Sequence, residues 1–213
     1  MKTLVAVPCM DMMHTQFVHS LLSLKMNDAY EVRFGASSLI YDTRNSLLKY
    51  ALDGGFDRVL WFDSDMTFKP DVLTYLNEDM DNGFDIVSGL YFKRKPPHTP
   101  VLFSRCDIIR HKNGMLEPVN DVYLDYPEMS IFEIAACGFG CVMMNMSAVA
   151  KAVEQFGMGL FIPVAGFGED LSFCMRARKA GLRVWCDSRA KLGHVGEMVF
   201  DEDYFRSFRN GND

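Results

Sequence analysis

Apolar and polar positions along this chain change period repeatedly, and each change marks an element. Thr3 to Val7 is a largely apolar run stopped by Pro8, which predicts a buried strand. From about Met13 to Leu24 the apolar residues Phe17, Leu21 and Leu24 share one helical face. Tyr30 to Phe34 predicts a second short strand. Asp42 to Leu52 reads as a helix, with Asp42 or Thr43 as its N-cap and Gly54-Gly55 ending it. Arg58-Val59-Leu60-Trp61-Phe62 is short, aromatic and β-branched, hence a buried strand. Pro70 would open a helix running to about Met80, and Phe84 to Leu90 is the next apolar strand.

Strand-helix alternation of this kind predicts a parallel sheet with right-handed crossovers. Ligands of such sheets bind beyond the carboxyl ends of the strands. Pro8, the Asp63/Asp65 pair and Tyr91 would then reach one edge. Residues 93–130 change character: they hold five of the eight prolines, and their strand signals are short and broken. A β-rich excursion on the acceptor side is expected there. Order returns at Ile131 to Ala136, followed by Cys137-Gly138-Phe139-Gly140-Cys141, the apolar Val142 to Met144, and a helix from a Ser147 cap to about Phe156. The two glycines allow close backbone approach to a ligand, or a bulge. Glu169 and Asp170 open a further helix with Phe173, Ala177 and Ala180 on its buried stripe and Gly181 at its end. Arg183 to Cys186 predicts a last strand, with Leu192-Gly193-His194-Val195-Gly196 beyond it.

With 213 residues, 49% hydrophobic and 23% charged, the chain is expected to form one globular domain over residues 1–200, followed by a tail at 201–213. The net charge of −6 argues against a dedicated nucleic-acid binder. No apolar run is long enough to span a bilayer, and the apolar N-terminus is too short for a signal peptide. The six cysteines form no CxxC pair and no zinc-type spacing, so buried free thiols in a reducing cytoplasm are expected. The 15 methionines suit gap filling in a core.

Candidate chemistry lies at two acidic pairs and one histidine. Asp63-Ser64-Asp65 follows a buried strand. Two carboxylates there repel each other and lose solvation, and a hard cation relieves both costs. The plainer alternative is an Asp-rich turn or helix cap. Glu169 and Asp170 at a helix start complement the helix dipole, yet the Gly166-Phe167-Gly168 turn before them also suits a positioned general base. His194 is flanked by Gly193, with Gly196 two residues on. A neutral imidazole in that setting is a good ligand for a metal such as manganese. Lys93-Arg94-Lys95 is either a solvated loop or a cationic clamp for phosphate.

Taken in order, these pieces resemble the GT-A class of nucleotide-sugar glycosyltransferases, in particular its family-2-like phage and bacterial members. The first strand ends at Pro8. Thr43-Arg44-Asn45 looks like the "RN" segment of these enzymes and Asp63-Ser64-Asp65 like their DxD motif. Gly168-Glu169-Asp170, with Arg176 and Gly181 behind it, looks like their ED motif, and His194 like their C-terminal metal histidine. The likeness spans about residues 3 to 196. It implies a GT-A (Rossmann-like) α/β fold: a mixed, mostly parallel sheet flanked by helices, with a small β-rich excursion. It also implies an enzyme of hexosyltransferase type. Asp65 and His194 would ligate a divalent metal, Mn²⁺ or Mg²⁺, that grips the donor diphosphate, while Asp63 assists or contacts the ribose. Pro8, Arg44 and Ser64 would line the donor pocket, Lys93 or Arg94 would contact the donor phosphates, and Gly138 and Phe139 would flank the sugar. Asp170 would deprotonate the acceptor hydroxyl, with inversion at the sugar, and Glu169 would orient hydroxyls. A UDP-sugar is the implied donor. The acceptor class is open, with nucleic acid not favoured. Residues 93–130 match nothing in the class, and the tail after Asp201 would be a lid or a disordered end.

Three rivals are weighed against this. A sugar-phosphate nucleotidyltransferase needs a glycine-rich, basic loop after the first strand, where this chain has Pro8-Cys9-Met10-Asp11-Met12-Met13. A non-catalytic nucleotide-sugar binder of the same fold would be signalled by loss of Asp65, His194 or the Glu169-Asp170 pair, and all are present. A metal-dependent phosphoesterase would need more acidic and histidine ligands near these motifs.

Overall fold

The computed structural model describes residues 1–26, 29–196 and 199–210. In chain order the elements are β1 (Lys2–Cys9), α1 (Thr15–Ser23), β2 (Ala29–Ala36), α2 (Ile40–Asp53), β3 (Arg58–Phe62), β4 (Met66–Phe68), α3 (Val72–Asp81), β5 (Ile86–Leu90), β6 (Leu102–Arg110), β7 (Leu116–Val122), β8 (Ile131–Ile134), β9 (Ala136–Cys137), β10 (Cys141–Asn145), α4 (Met146–Phe156), α5 (Glu169–Lys179), β11 (Val184–Val195), β12 (Val199–Phe200) and α6 (Glu202–Asn210). The large sheet runs β2-β1-β3-β10-β5-β11-β12. From β2 to β11 the strands are parallel except β10, which lies antiparallel between β3 and β5. The fold is therefore mixed α/β with a mostly parallel central sheet. A second, three-stranded sheet, β7-β6-β9, is antiparallel and contains the expected excursion.

The central strands read as continuous apolar runs because both faces are covered. Leu4 and Ala6 of β1, Val59 and Trp61 of β3, and Val142 and Met144 of β10 pack toward α2, α4 and α5. Val5 and Val7, Leu60 and Phe62, and Cys141 and Met143 pack on the other face, toward α1 and α3. Trp61 and Phe62 are both fully buried, and each such side chain contributes roughly 1.5–3 kcal/mol. No helix among the described residues is long and apolar enough to cross a membrane.

Several boundaries differ from the sequence reading, for local reasons. Pro8 does not end β1, which continues to Cys9. Pairing with β3 stops at Ala6, so Pro8 lies past the part of β1 that is paired on both sides. Helix α2 starts at Ile40, ahead of Asp42 and Thr43, with Leu39 as an N-cap that makes no side-chain hydrogen bond. Pro70 precedes α3 by two residues, with Asp71 at the N-cap. Helix α4 is capped by Asn145 rather than Ser147; the Asn145 Oδ1 accepts from the Ser147 backbone N–H at 3.0 Å and from its hydroxyl at 2.8 Å. The tail is a helix in its described part. In α6, Phe205 stacks on Phe92 at 4.7 Å, and buried Glu202 accepts from Tyr126 at 3.2 Å; residues 211–213 lie outside the described residues.

The largest difference is β11. Expected to stop near Cys186, it runs to Val195 with a register shift between Asp187 and Lys191. Its first half pairs with β5 and β8, its second half with β4 and β12. The shift carries Arg189, whose guanidinium bonds buried Asp187 at 2.9 Å and Asp79 at 3.1 Å and so anchors the bulge to α3. His194 is thereby a strand residue opposite Met66, not part of a glycine loop.

Asn145→Ala should lower stability by about 0.5–2 kcal/mol through loss of the α4 cap. The expected reading is a lower urea midpoint at unchanged slope; an unmoved midpoint would show that the cap contributes nothing.

Candidate functional site

The carboxyl ends of β1, β3 and β5 meet at one edge of the sheet, as parallel topology requires. A cleft of about 650 Å³ opens there. Pro8 and Cys9 enter from β1, Asp63, Ser64 and Asp65 from the end of β3, and Tyr91 from the end of β5. Arg44 comes from α2, Glu169 and Asp170 from the start of α5, and His194 from the distal half of β11; Lys93, Arg94 and Lys95 form part of the rim. Residues far apart in the chain are thus brought to one cavity.

Arg44 is the hub of the inner wall. Only 2% of it is exposed. Its guanidinium donates to Asp63 Oδ1 at 2.7 Å, and its Nε lies 3.5 Å from Glu169 Oε1. Its carbon centre lies 5.7 Å from the Trp61 ring, 5.2 Å from Phe139 and 6.0 Å from Phe161, within reach of their π faces. Burial works against the charged form, but the carboxylates of Asp63 and Glu169 outweigh it and hold Arg44 above its ordinary pKa. Asp63 is shifted up: burial raises it most, Arg44 opposes that, and the charge of Asp65 adds to it. The adjacent Asn45 accepts from the Phe161 backbone N–H at 3.1 Å, so the Arg-Asn segment also pins the loop before α5.

Asp65 has a different environment. Its Oδ2 receives Arg94 at 2.9 Å and faces His194 Nε2 at 3.5 Å, while its buried Oδ1 has no hydrogen-bond partner. His194 Nδ1 lies 2.8 Å from the Phe92 carbonyl oxygen, which can only accept, so Nδ1 carries the proton. Nε2 therefore faces the Asp65 carboxylate, an arrangement that a shared proton or a shared cation makes favourable. A histidine whose second nitrogen is held by a backbone carbonyl is a common arrangement at metal sites. Burial raises the Asp65 carboxyl, but the hydrogen bond and charge of His194, with Arg94, leave it below its ordinary value.

The residues thus fit a divalent cation in part. The unpartnered Asp65 Oδ1 and the His194 Nε2 supply two ligands, and small hard cations are often held by one or two protein groups plus substrate phosphates. The three-residue set expected from the sequence does not assemble: no cluster of three or more His, Cys, Asp or Glu side chains suited to a metal occurs among the described residues. Asp63 turns toward Arg44 instead, because a buried guanidinium needs a close counter-charge.

Asp170 occupies the first turn of α5. Burial, then the neighbouring Glu169 charge, push its carboxyl up to about 6, against the Leu171 backbone N–H that Oδ1 accepts at 2.7 Å. A carboxyl poised there can take up a proton near neutral pH.

Two predicted positions behave otherwise than expected. Gly138 does not line the cleft; an added Cβ would meet the Tyr91 hydroxyl at 2.2 Å, so its place reflects close packing. Phe139 lines the cleft but is only 1% exposed, with its ring packed edge-on against Trp61, Phe161 and Phe173. Tyr91, expected at the strand edge, also lines the cleft. It is buried, accepts the Gly140 backbone N–H at 3.0 Å, and has its hydroxyl pKa raised by burial and then by the charge of Asp63. Ser37, Ser38 and Ile40 also line the cleft, on the connection after β2, where no motif marks them.

No protein-family model and no curated protein matches the chain. Solved structures do resemble it, among them the crystal structure of A197 from STIV, which aligns over 96% of this chain and 92% of its own, with a TM-score of 0.68 and 18% identity. At that identity the likeness is one of fold.

The raised Asp170 carboxyl has a consequence for stability. An unfolded aspartate titrates near pH 4, the folded one near 6. Between those values the folded chain keeps a proton that the unfolded chain releases, so this group makes stability fall as pH rises through the window. Asp170→Asn should therefore gain on the wild type from about pH 4 to 6 and hold that gain above it. Urea melts across this range check it; a pH-independent difference would show that the carboxyl is not desolvated.

Proposed function

We propose that the protein is a GT-A-type glycosyltransferase, an enzyme that moves a sugar from a nucleoside diphosphate donor to an acceptor hydroxyl. The reading rests on one observation above all: a single cleft joins a cation-seeking carboxylate-imidazole pair, Asp65 and His194, to a carboxyl tuned near neutrality, Asp170. Two carboxyl groups in one site whose environments push their pKa values apart are the usual mark of divided roles.

Asp65 and His194 would hold Mn²⁺ or Mg²⁺ beside the donor diphosphate. A divalent cation bound there offsets the charge that builds on the leaving phosphate. Lys93 and Arg94 stand on the same rim to receive phosphate oxygens; Arg94 would then exchange its contact with Asp65 for one with the donor. Pro8 and Cys9 would border the nucleotide, with Ser37 and Ser38 beside them at the end of β2. Arg44, tied to Asp63 and Glu169, fixes both acidic segments relative to each other rather than meeting the donor directly. Asp170 takes the proton from the acceptor hydroxyl. The acceptor oxygen then bonds to the anomeric carbon from the face opposite the departing diphosphate, and the C–O bond to the diphosphate breaks. The product has inverted stereochemistry, and the nucleoside diphosphate leaves with the electron pair. A UDP-sugar is the donor by analogy, and the six free cysteines suit a reducing compartment such as the cytoplasm.

Two measurements test this. In a thermal-shift screen of nucleoside diphosphates and nucleotide sugars, one nucleotide should raise the melting temperature only with Mn²⁺, and Asp65→Ala should abolish the shift. A folded protein that responds to no nucleotide would sink the reading. With the donor known, Asp170→Asn should keep the shift and lose about 10²–10⁴-fold in turnover. Wild-type kcat/KM should rise with pH through about 6 as the base ionises. A metal-dependent shift with no turnover on any acceptor would make the protein a nucleotide-sugar binder of this fold.

A further inference from the structure

We propose that β2 is the contact edge of a symmetric homodimer, with two copies joined strand to strand in antiparallel register centred on Val32. β2 ends the large sheet and pairs only with β1 among the described residues. Its register with β1 is unbroken from Ala29 to Ala36, so one whole side of an eight-residue strand presents backbone donors and acceptors outward. Edge strands are normally blunted by a proline, charged side chains, a bulge or shortness. The β2 sequence, Ala29-Tyr30-Glu31-Val32-Arg33-Phe34-Gly35-Ala36, has no proline, lysine or bulge, and its two charges, Glu31 and Arg33, are of opposite sign and 3.9 Å apart.

The side chains select a second copy as the occupant. Rotation about a two-fold axis at Val32 sets Val32 against its own copy. Glu31 of each copy then lies opposite Arg33 of the other, and Tyr30 opposite Phe34. Moving the axis by one residue would instead set Glu31 on Glu31 or Arg33 on Arg33, and like charges directly opposite are destabilising. The charge pattern thus chooses one register, and a two-fold contact of this kind closes on itself.

Both faces of the strand are prepared for this pairing. On the α1 face, Tyr30 packs against the core while Val32 and Phe34 remain 36% and 47% exposed, an apolar strip that the copy would continue and cover. On the α2 face, Glu31 accepts from the Tyr50 hydroxyl at 2.6 Å, and Arg33 lies 3.7 Å from the centre of the Tyr50 ring. Both charged groups are therefore held along the strand before the partner arrives. Because the joined strands run antiparallel, the two clefts would open at opposite ends of one continuous sheet. Ser37, Ser38 and Ile40, which follow β2 directly, would tie each cleft wall to the dimer contact.

Sedimentation equilibrium on the full chain tests the proposal. The wild type should dimerise reversibly. Arg33→Glu and Glu31→Arg should each weaken the dimer by roughly tenfold or more, because both symmetry-related pairs become repulsive. The double reversal should recover it, since the charges are again complementary. Phe34→Lys, at an exposed position, should also dissociate the dimer and serves if the charge reversals do not fold. A wild type that stays monomeric up to its solubility limit would overturn the proposal. So would a dimer that folded Arg33→Glu and Phe34→Lys leave intact.

Discussion

The structure around the cleft turns on one buried cation, the Arg44 guanidinium. Burying an unpaired charge costs several kcal/mol or more, so Arg44 is tolerable only with its counter-charges in place. Asp63 supplies one at the end of β3 and Glu169 another at the start of α5. The dependence is mutual, because without the cation two acidic side chains would face each other across a partly dry wall. The aromatic rings of Trp61, Phe139 and Phe161 close the remaining sides. Helix α2, the tip of β3 and the first turn of α5 are thus held in one arrangement by charge rather than by apolar packing alone.

That arrangement gives neighbouring carboxyl groups unequal properties. Asp65 lies beside His194 and Arg94 and is easily ionised. Asp170 lies deeper, beside Glu169, and retains its proton to about pH 6. Both are aspartates at the ends of secondary-structure elements, and nothing in their side chains distinguishes them. The difference lies in what surrounds them: Asp170 is raised by burial and by the Glu169 charge, whereas at Asp65 the contacts with His194 and Arg94 outweigh burial.

Position along the chain adds to the motif residues of this cleft others that no motif marks. Tyr91, Ser37 and Ser38 belong to no recognisable motif, yet they follow from the rule that parallel sheets bind at the carboxyl ends of their strands. Gly138, chosen because glycine permits close approach, is indeed at a close approach, but to the Tyr91 hydroxyl rather than to the cavity. Glycine reports that space is short; it does not report what fills it. The proline signals were displaced for a similar reason. Pro8 is compatible with the end of a strand, and Pro70 with the turn before a helix, so neither marks the boundary itself.

The sequence by itself marked the alternation of strands and helices from β1 to β5 and the later α4 and α5, because hydrophobic periodicity acts over a few neighbouring residues, but it did not mark β4, β12 or α6. It also placed Asp63, Asp65, Glu169 and Asp170 at element ends, where carboxylates can face a cleft. Tertiary structure alone decided that β10 inserts antiparallel between β3 and β5, since the run from Cys141 to Asn145 is equally apolar in either direction. It decided that β11 continues through a bulge and delivers His194 to Asp65, an outcome set by pairing with β4 and by the Arg189 anchor on α3. It also decided that Arg44 lies against Asp63. Each of these depends on contacts between segments tens of residues apart, and the energy of a long-range contact is invisible to any local pattern.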